Sequence, residues 1–294
     1  MKPLHVLEAL GVQGLAATVR ALPWRTSLGV GEWLGRRARS LGVRRRIAEE
    51  NIARAFPERA PVERDRILRA HYAELGRVVC EYPRLPELAR SPLGRYVAEL
   101  RGRKHLEAVR GQGAVLLTGH FGNFELLGAF LGHIHATDFV VKPLTNPYVE
   151  RTIGDLRAAA RIGQIPVGSA MRRAFQALRA GRWVALLADQ DARKHGVFVP
   201  FFGQPTSTPV GPARLALRAG VPILPGFIER RPDGRHAIEV LPPMELPEVD
   251  DPDPERTLTA RHAALLEGRI RRYPEMWFWL HRRWKTRPPA ISEG

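Results

Sequence analysis

Residues 114–131 read AVLLTGHFGNFELLGAFL, and this stretch decides the fold. It opens with an unbroken apolar run, AVLL, which is typical of a strand buried on both faces. Polar and glycine positions from Gly119 to Asn123 interrupt the run, and apolar residues return at helical density from Leu126. The pattern predicts a strand, a tight turn and a helix. In α/β proteins such a turn, at the carboxyl end of a strand, is where catalytic groups lie.

Two polar residues of this stretch, His120 and Glu125, are the candidate catalytic residues. On one continuous helix, residues with this spacing lie about 140° apart around the axis, so they can cooperate only if His120 lies in the turn and Glu125 in the first helical turn. Gly122 and Asn123 permit this, because glycine accepts positive φ and asparagine is a good N-cap. We expect Glu125 to accept a hydrogen bond from one imidazole nitrogen, so that the other can take a proton from a substrate hydroxyl.

The composition is that of a folded and strongly basic chain. The 294 residues are 44% hydrophobic, which is enough for a full core and excludes a disordered protein. The net charge of +16 favours anionic lipid, nucleic acid or another polyanion as a partner. The single cysteine, Cys80, excludes a disulfide framework, and we interpret it as a core thiol. His133 and His135 lack the helical Glu/His spacing of a zinc site, so no metal is predicted.

The chain divides into an N-terminal helical, membrane-associating segment, residues 1–60, and an α/β domain, residues 61–294. The apolar stretch from Val6 to Val19 is too short to span a bilayer, and it is either a core helix or an interfacial anchor. Six arginines between residues 36 and 46 favour the anchor, since they suit a headgroup-level surface. Nucleic acid is the rival partner for this charge.

From about residue 95, predicted strands alternate with helices. This alternation predicts an α/β fold with a mixed, mostly parallel central sheet flanked by helices. The run Asp189-Gln190-Asp191 follows one buried strand directly, so it is a second group of polar residues at a strand end. The predicted strands are Tyr96–Leu100, Ala114–Thr118, Asp138–Val141, Ile165–Val167, Val184–Ala188, Val221–Ile228 and, as an edge strand, His236–Leu241.

Several motifs, in order along the chain, resemble those of the lipid A biosynthesis lauroyl/myristoyl acyltransferase family. This family is part of the lysophospholipid (glycerolipid) acyltransferase superfamily, which has a His-x4-Asp/Glu motif. The resemblance runs from about residue 35 to residue 288. Its motifs are RRIAEENIARAFP at 45–57, HFGNFE at 120–125, KPLTNPY at 142–148, DQD at 189–191 with GVFVPFFG at 196–203, and WFWLHRRWKTRP at 277–288.

The resemblance implies an O-acyltransferase with a glycerolipid acyltransferase-like fold and no metal or redox cofactor. His120 deprotonates a hydroxyl of a lipid A precursor or related glycolipid, and acyl carrier protein is the acyl donor. A lysophospholipid or a phosphatidylinositol mannoside is the alternative acceptor, and a nucleic-acid-binding protein is a remoter alternative. The expected location is the cytoplasmic face of the inner membrane, with peripheral or monotopic attachment.

The resemblance also implies a set of substrate-binding residues. Lys142 stands where the family commonly has arginine, so it keeps the charge but loses the bidentate fork. Either Arg172 or Arg173 corresponds to a basic residue near the substrate. Phe201 either packs in the core or contacts the acyl chain. The complete set is Asn123, Lys142, Arg157, Arg172, Arg173, Asp189, Gln190, Arg193 and Phe201.

Overall fold

A computed structural model describes residues 3–91 and 93–289. Residues 1–2 and 290–294, the outer ends of the two predicted segments, lie outside the described residues. The described helices are α1 Pro3–Ala21, α2 Trp24–Ser40, α3 Arg45–Ala55, α4 Pro61–Glu81, α5 Leu85–Arg90, α6 Arg103–Ala108, α7 Phe124–Ile134, α8 Pro147–Ala159, α9 Ala170–Arg179, α10 Gly211–Ala219 and α11 Pro254–Arg272.

A seven-stranded sheet forms the centre of the described chain, with the strand order β1-β9-β8-β2-β5-β3-β4. Adjacent strands are parallel except for the pair β8 and β9. The predicted α/β fold with a mixed, mostly parallel sheet is therefore confirmed. The strands are β1 Val97–Arg101, β2 Ala114–Thr118, β3 Thr137–Val141, β4 Ile162–Pro166, β5 Trp183–Leu187, β6 Val197–Phe201, β7 Gln204–Thr208, β8 Ile223–Arg230 and β9 His236–Val240.

The position predicted for the last strand is wrong. His236–Leu241 was expected at the sheet edge, but β9 lies between β1 and β8. Leu100 of β1 pairs with Ile238 on one side, and Ile228 of β8 pairs with it on the other. The first strand in chain order, β1, therefore pairs with the last one, β9. No local sequence pattern reveals a pairing of such long range.

The sequence analysis also did not resolve the β6–β7 hairpin, which forms a separate two-stranded sheet. Phe202 and Gly203 form its turn, with φ of 51° and 70°. Two positive φ values match the twist of a tight hairpin. Phe202 adopts this unfavourable conformation while its ring is buried and its backbone N–H donates to Glu267.

The N-terminal helices differ in how they meet the rest of the protein. Helix α2 packs along α4, and α1 contacts α8. No helix within residues 3–91 and 93–289 has both the length and the apolar character needed to cross a bilayer. Leu4, Leu7 and Leu10 of α1 are 62%, 67% and 58% exposed, so α1 presents an apolar face to solvent.

Candidate active site

The site is built where β2 and β5 end. These two strands are adjacent and parallel, with Thr118 paired to Leu187, so the segments that follow them emerge side by side. His120 lies two residues beyond Thr118, and Asp189 lies two residues beyond Leu187. Strand pairing thus brings together two residues that are 69 positions apart in the chain.

Asp189 holds the turn between β2 and α7 through three hydrogen bonds. The ring nitrogen Nδ1 of His120 donates to Oδ1 at 2.7 Å. The backbone N–H of His120 and the indole Nε1–H of Trp277 donate to Oδ2 at 2.7 Å and 2.8 Å. A side chain on Gly119 could not be accommodated, since its Cβ would lie 2.9 Å from Oδ2. The carboxylate therefore fixes both the position of the turn and the tautomer of the imidazole.

The two partners shift each other's pKa. Burial disfavours a charged imidazole, but the charge and hydrogen bond of Asp189 outweigh burial, so the pKa of His120 is raised above its ordinary value. Burial alone would raise the pKa of Asp189, yet His120 and Trp277 hold that pKa far below its usual range. Asp189 is therefore a permanent anion, and His120 is a stronger base than a free imidazole.

The second ring nitrogen of His120 makes one long hydrogen bond. The side-chain amide of Gln190 donates to Nε2 over 3.4 Å, a long contact that an incoming hydroxyl can replace. The Phe124 ring packs edge-on against the imidazole at 5.1 Å between centroids. The His120 side chain keeps 27% of its surface exposed, whereas that of Asp189 keeps 2%. The base is thus accessible and its orienting carboxylate is not.

We expected the His120 ring to donate a hydrogen bond to Glu125, and this prediction is wrong, because the acceptor is Asp189. Arg157 of α8 donates to both carboxylate oxygens of Glu125, through Nε at 3.2 Å and through Nη2. Glu125 lies in the first turn of α7, as predicted, and its charge still contributes to the raised pKa of His120. The neighbouring Tyr82 has a raised pKa, chiefly because it is buried and secondly because of the Glu125 charge.

Asn123, predicted to bind substrate, is 1% exposed and uses its side chain inside the protein. Its Oδ1 accepts from the backbone N–H of Leu126 at 3.0 Å, which caps α7. Its Nδ2 donates to Glu81 at 2.9 Å. The predicted N-cap role is confirmed, and this use of both polar groups makes Asn123 a structural residue.

The remaining predicted substrate residues fall into two groups. Lys142, Arg172, Arg173 and Arg193 are exposed and follow strands β3, β4 and β5, whose carboxyl ends share the edge that carries His120. Phe201 is 1% exposed and packs on Trp277 and Trp284, with centroids 5.6 Å and 5.7 Å away. Phe201 is thus a core residue, which agrees with the first of its two interpretations.

The sequence analysis missed the contribution of the C-terminal motif to the site. Aromatic residues interleaved with arginines are typical of a membrane interface, but Trp277 binds Asp189 and Arg283 is 1% exposed. Asn51 donates to the backbone carbonyls of Trp279 and His281 at 2.7 Å and 2.6 Å. The motif at 45–57 therefore holds the motif at 277–288 against the catalytic turn. The presence of both motifs in the sequence was the signal from which this contact could have been predicted.

The sequence is similar to those of known acyltransferases. A model of the bacterial lipid A biosynthesis acyltransferase family matches residues 2–286. The lipid A biosynthesis lauroyltransferase of Escherichia coli is 29% identical over 299 residues, which cover 99% of this chain and 95% of that protein. A phosphatidylinositol mannoside acyltransferase of Mycobacterium tuberculosis is 34% identical over 185 residues, which cover 60% of this chain and 58% of that protein.

Among solved structures, the 1-acyl-sn-glycerophosphate acyltransferase of Thermotoga maritima aligns with a TM-score of 0.38 and 15% identity. The alignment covers 66% of this chain and 82% of that chain. The match of the family model over nearly the whole sequence decides the assignment: this chain is an acyltransferase and belongs to the bacterial lipid A biosynthesis acyltransferase family.

Proposed function

We propose that the protein transfers a fatty acyl chain from the thioester of acyl carrier protein to a hydroxyl of a lipid A precursor or related glycolipid. The enzyme acts at the cytoplasmic face of the inner membrane as a peripheral or monotopic protein. The observation that carries the proposal is the hydrogen bond of 2.7 Å between His120 and Asp189, beside an accessible Nε2. The basic surface of the enzyme suits an acidic carrier protein.

The reaction needs one base and no enzyme nucleophile. Nε2 of His120 takes the proton of the acceptor hydroxyl as its oxygen attacks the thioester carbonyl. Collapse of the tetrahedral intermediate breaks the C–S bond and releases the thiolate. The imidazolium returns its proton to that sulfur, so the products are an ester and a free thiol. Asp189 stabilises the imidazolium between these steps and remains ionised throughout.

Glu125 and Arg157 have a positioning role in this proposal. The pair links the first turn of α7 to α8, and its side chains are only 4% and 15% exposed. Because Arg157 pairs with Glu125, we assign binding of the acceptor phosphate to the exposed basic residues at the same sheet edge. Lys142, Arg193 and either Arg172 or Arg173 supply that charge.

A phosphatidylinositol mannoside is the second candidate acceptor. The observation that favours it is the 34% identity to the Mycobacterium tuberculosis enzyme, which exceeds the 29% identity to the lauroyltransferase, although over a shorter alignment. Both acceptors present a sugar hydroxyl and an anionic group, so the catalytic chemistry is the same.

The test is a transfer assay with radiolabelled acyl carrier protein and each acceptor in matched vesicles, with products identified by mass spectrometry. His120→Ala should abolish transfer to the preferred acceptor without unfolding the protein. Glu125→Gln should reduce the rate less than His120→Ala does. Transfer by His120→Ala at the wild-type rate would remove the mechanism, and failure of the wild type with every lipid acceptor would remove the proposed substrate class.

A further inference from the structure

A basic groove, with a volume of about 1070 Å³, lies between α2, α4 and the turn that joins β8 to β9. Seven arginines and three glutamates line it. Four of these arginines are exposed, namely Arg36, Arg66, Arg69 and Arg231. The groove is distinct from the exposed bases that follow β3, β4 and β5, and the catalytic steps described above do not use it.

A small pocket at the proposed catalytic base adjoins the groove. This pocket has a volume of about 50 Å³, and His120, Phe124 and Phe278 contribute to its lining. Glu74, Glu275 and Met276 line both the pocket and the groove. The shared residues place the pocket beside the groove, so a ligand that displaces these side chains can extend from the groove to His120.

His71, which lines the pocket, has a buried ring nitrogen without a hydrogen-bond partner in the described part of the chain. His71, 2% exposed, lines the pocket, and its Nδ1–H donates to the carbonyl of Glu275 at 3.2 Å. Burial lowers the pKa of His71 to about 4, so the ring is neutral at pH 7. Nε2 is consequently a hydrogen-bond acceptor, and it has no partner among residues 3–91 and 93–289. A buried acceptor of this kind suits an amide N–H.

We propose that the groove and pocket bind the phosphopantetheine arm of the acyl donor. The phosphate lies among the groove arginines, an amide N–H of the arm donates to His71, and the thioester reaches His120. This inference rests on the proposed function, since it takes an acyl thioester as the donor. It adds the route by which the donor enters and the residues that recognise it.

The arginines are available for a phosphate. Arg66 is exposed, and its side chain has no hydrogen-bond or ion-pair partner within the described residues. Arg69 pairs with Asp65 on the surface of α4, with 67% and 31% of the two side chains exposed. Exposed pairs of this kind contribute little, so a phosphate can replace the carboxylate. Charge-assisted contacts from arginine suit a phosphate anion.

The chemistry of the groove favours the donor arm over the acceptor lipid. Acyl chains need a continuous apolar surface, whereas charged side chains of both signs dominate this lining. Pantetheine is polar and water-soluble, and it carries two amides and one phosphate. The exposed leucines of α1 offer the lipid a different, apolar approach.

The experiment compares two donors that differ only in the phosphate, S-dodecanoyl-phosphopantetheine and S-dodecanoyl-pantetheine. Arg66→Gln with Arg69→Gln should raise KM for the phosphorylated donor about 10-fold and leave KM for the other donor and for the acceptor unchanged. The matched control is Arg110→Gln with Arg218→Gln, which removes the same charge at exposed positions outside the groove. An equal rise for both donors, or a rise for the acceptor alone, overturns the proposal.

A binding measurement separates this inference from the proposed function. The thioether S-dodecyl-phosphopantetheine cannot transfer its chain, and calorimetry reports its affinity without turnover. Weaker binding by the groove variant than by the control supports the groove even if no lipid acceptor is acylated. Equal binding by both variants overturns the groove even if acyl transfer proceeds.

Discussion

Asp189 accepts hydrogen bonds from the ring of His120, from its backbone N–H and from Trp277. A carboxylate that accepts three such bonds in a buried site stays ionised, and its fixed charge raises the pKa of the imidazole. A single residue therefore sets the orientation, the tautomer and the basicity of His120. Glu125 affects the pKa of His120 only through its charge, because its oxygens accept hydrogen bonds from Arg157.

At the residue scale, we expect Asp189→Asn to reduce kcat by about 10²- to 10⁴-fold, the usual contribution of general-base catalysis. The acid limb of the pH–rate profile should also move. In the wild type the rate falls as the pH drops through the raised pKa of His120, above its ordinary 6.5, because the protonated ring cannot act as a base. Without the Asp189 charge this pKa decreases, so the limb shifts to lower pH.

The matched control for this change is Asp191→Asn, two positions along the same loop. Its carboxylate binds Thr286 and the backbone of Arg193, not the imidazole. We expect the acid limb of this variant to coincide with that of the wild type. A limb that stays in place in Asp189→Asn would mean that His120 does not titrate in the rate-limiting step.

At the element scale, the turn between β2 and α7 depends on backbone conformations that only some residues adopt. Gly122 has φ of 54°, and a Cβ there would lie 2.3 Å from the carbonyl oxygen of Ile228 in β8. The backbone N–H of Gly122 also donates to the carbonyl of Met276 at 2.8 Å. The turn is thus pressed between β8 and the C-terminal segment, and this contact places His120.

Gly122→Ala should therefore destabilise the protein by at least about 1 kcal/mol, from positive φ and steric overlap together. The control is Gly268→Ala in α11, where no atom lies within 4 Å of the added Cβ. Alanine at that helical position should stabilise the protein by about 0.5–1 kcal/mol. Urea unfolding measures both changes. A loss of stability in the α11 variant equal to that of Gly122→Ala would contradict the argument.

At the scale of the whole molecule, charge and exposed apolar surface are the features that support our proposal of membrane attachment. Helix α1 exposes Leu4, Leu7 and Leu10, while Asn146 at the start of α8 donates to Glu8 and to the backbone carbonyl of His5. Helix α1 is thereby held against the catalytic domain. Arg45 and Arg46, which follow α2, pair with glutamates four residues later, and such exposed pairs leave both arginines open to anionic headgroups.

We expect the triple change Leu4→Ser, Leu7→Ser and Leu10→Ser to weaken binding to anionic vesicles, since each serine removes apolar surface that the bilayer would cover. Sedimentation with vesicles of phosphatidylglycerol measures this. Leu246→Ser with Val249→Ser is the control, since these residues are 60% and 107% exposed in a different segment. If the triple variant and the control bind alike, α1 is not the docking element.

The stability of the whole fold should fall at mildly acid pH. Burial lowers the pKa of His262 to about 4, against an ordinary value of 6.5. Between these values the unfolded chain binds a proton that the folded chain excludes, so stability is complete above pH 6.5 and is lost as the pH falls towards 4. His262→Leu should reduce the slope of unfolding free energy in this range by up to about 1.4 kcal/mol per pH unit. If the slope for His262→Leu equals that of the wild type, the buried imidazole is not the cause of the acid instability.

The sequence by itself determined the central strand, turn and helix, and it placed His120 in that turn. A run of buried apolar residues forms β2, a glycine-rich turn follows, and His120 is the polar residue in that turn. These features follow from local periodicity and local backbone preference, so neighbouring residues are sufficient to reveal them. The motifs at 45–57, 189–203 and 277–288 likewise indicated the family, because each is contiguous in the chain.

Only the tertiary structure decided which carboxylate serves the base. Glu125 is five residues from His120 and Asp189 is 69 residues away, so proximity in the chain favoured the wrong partner. The pairing of β2 with β5 brings Asp189 next to His120. Glu125, although nearer in the chain, is paired with Arg157. The return of β1 beside β9 and the contact of Trp277 with Asp189 are of the same kind. Contacts of long sequence separation arise when strands and segments pair, and no local pattern encodes their partners.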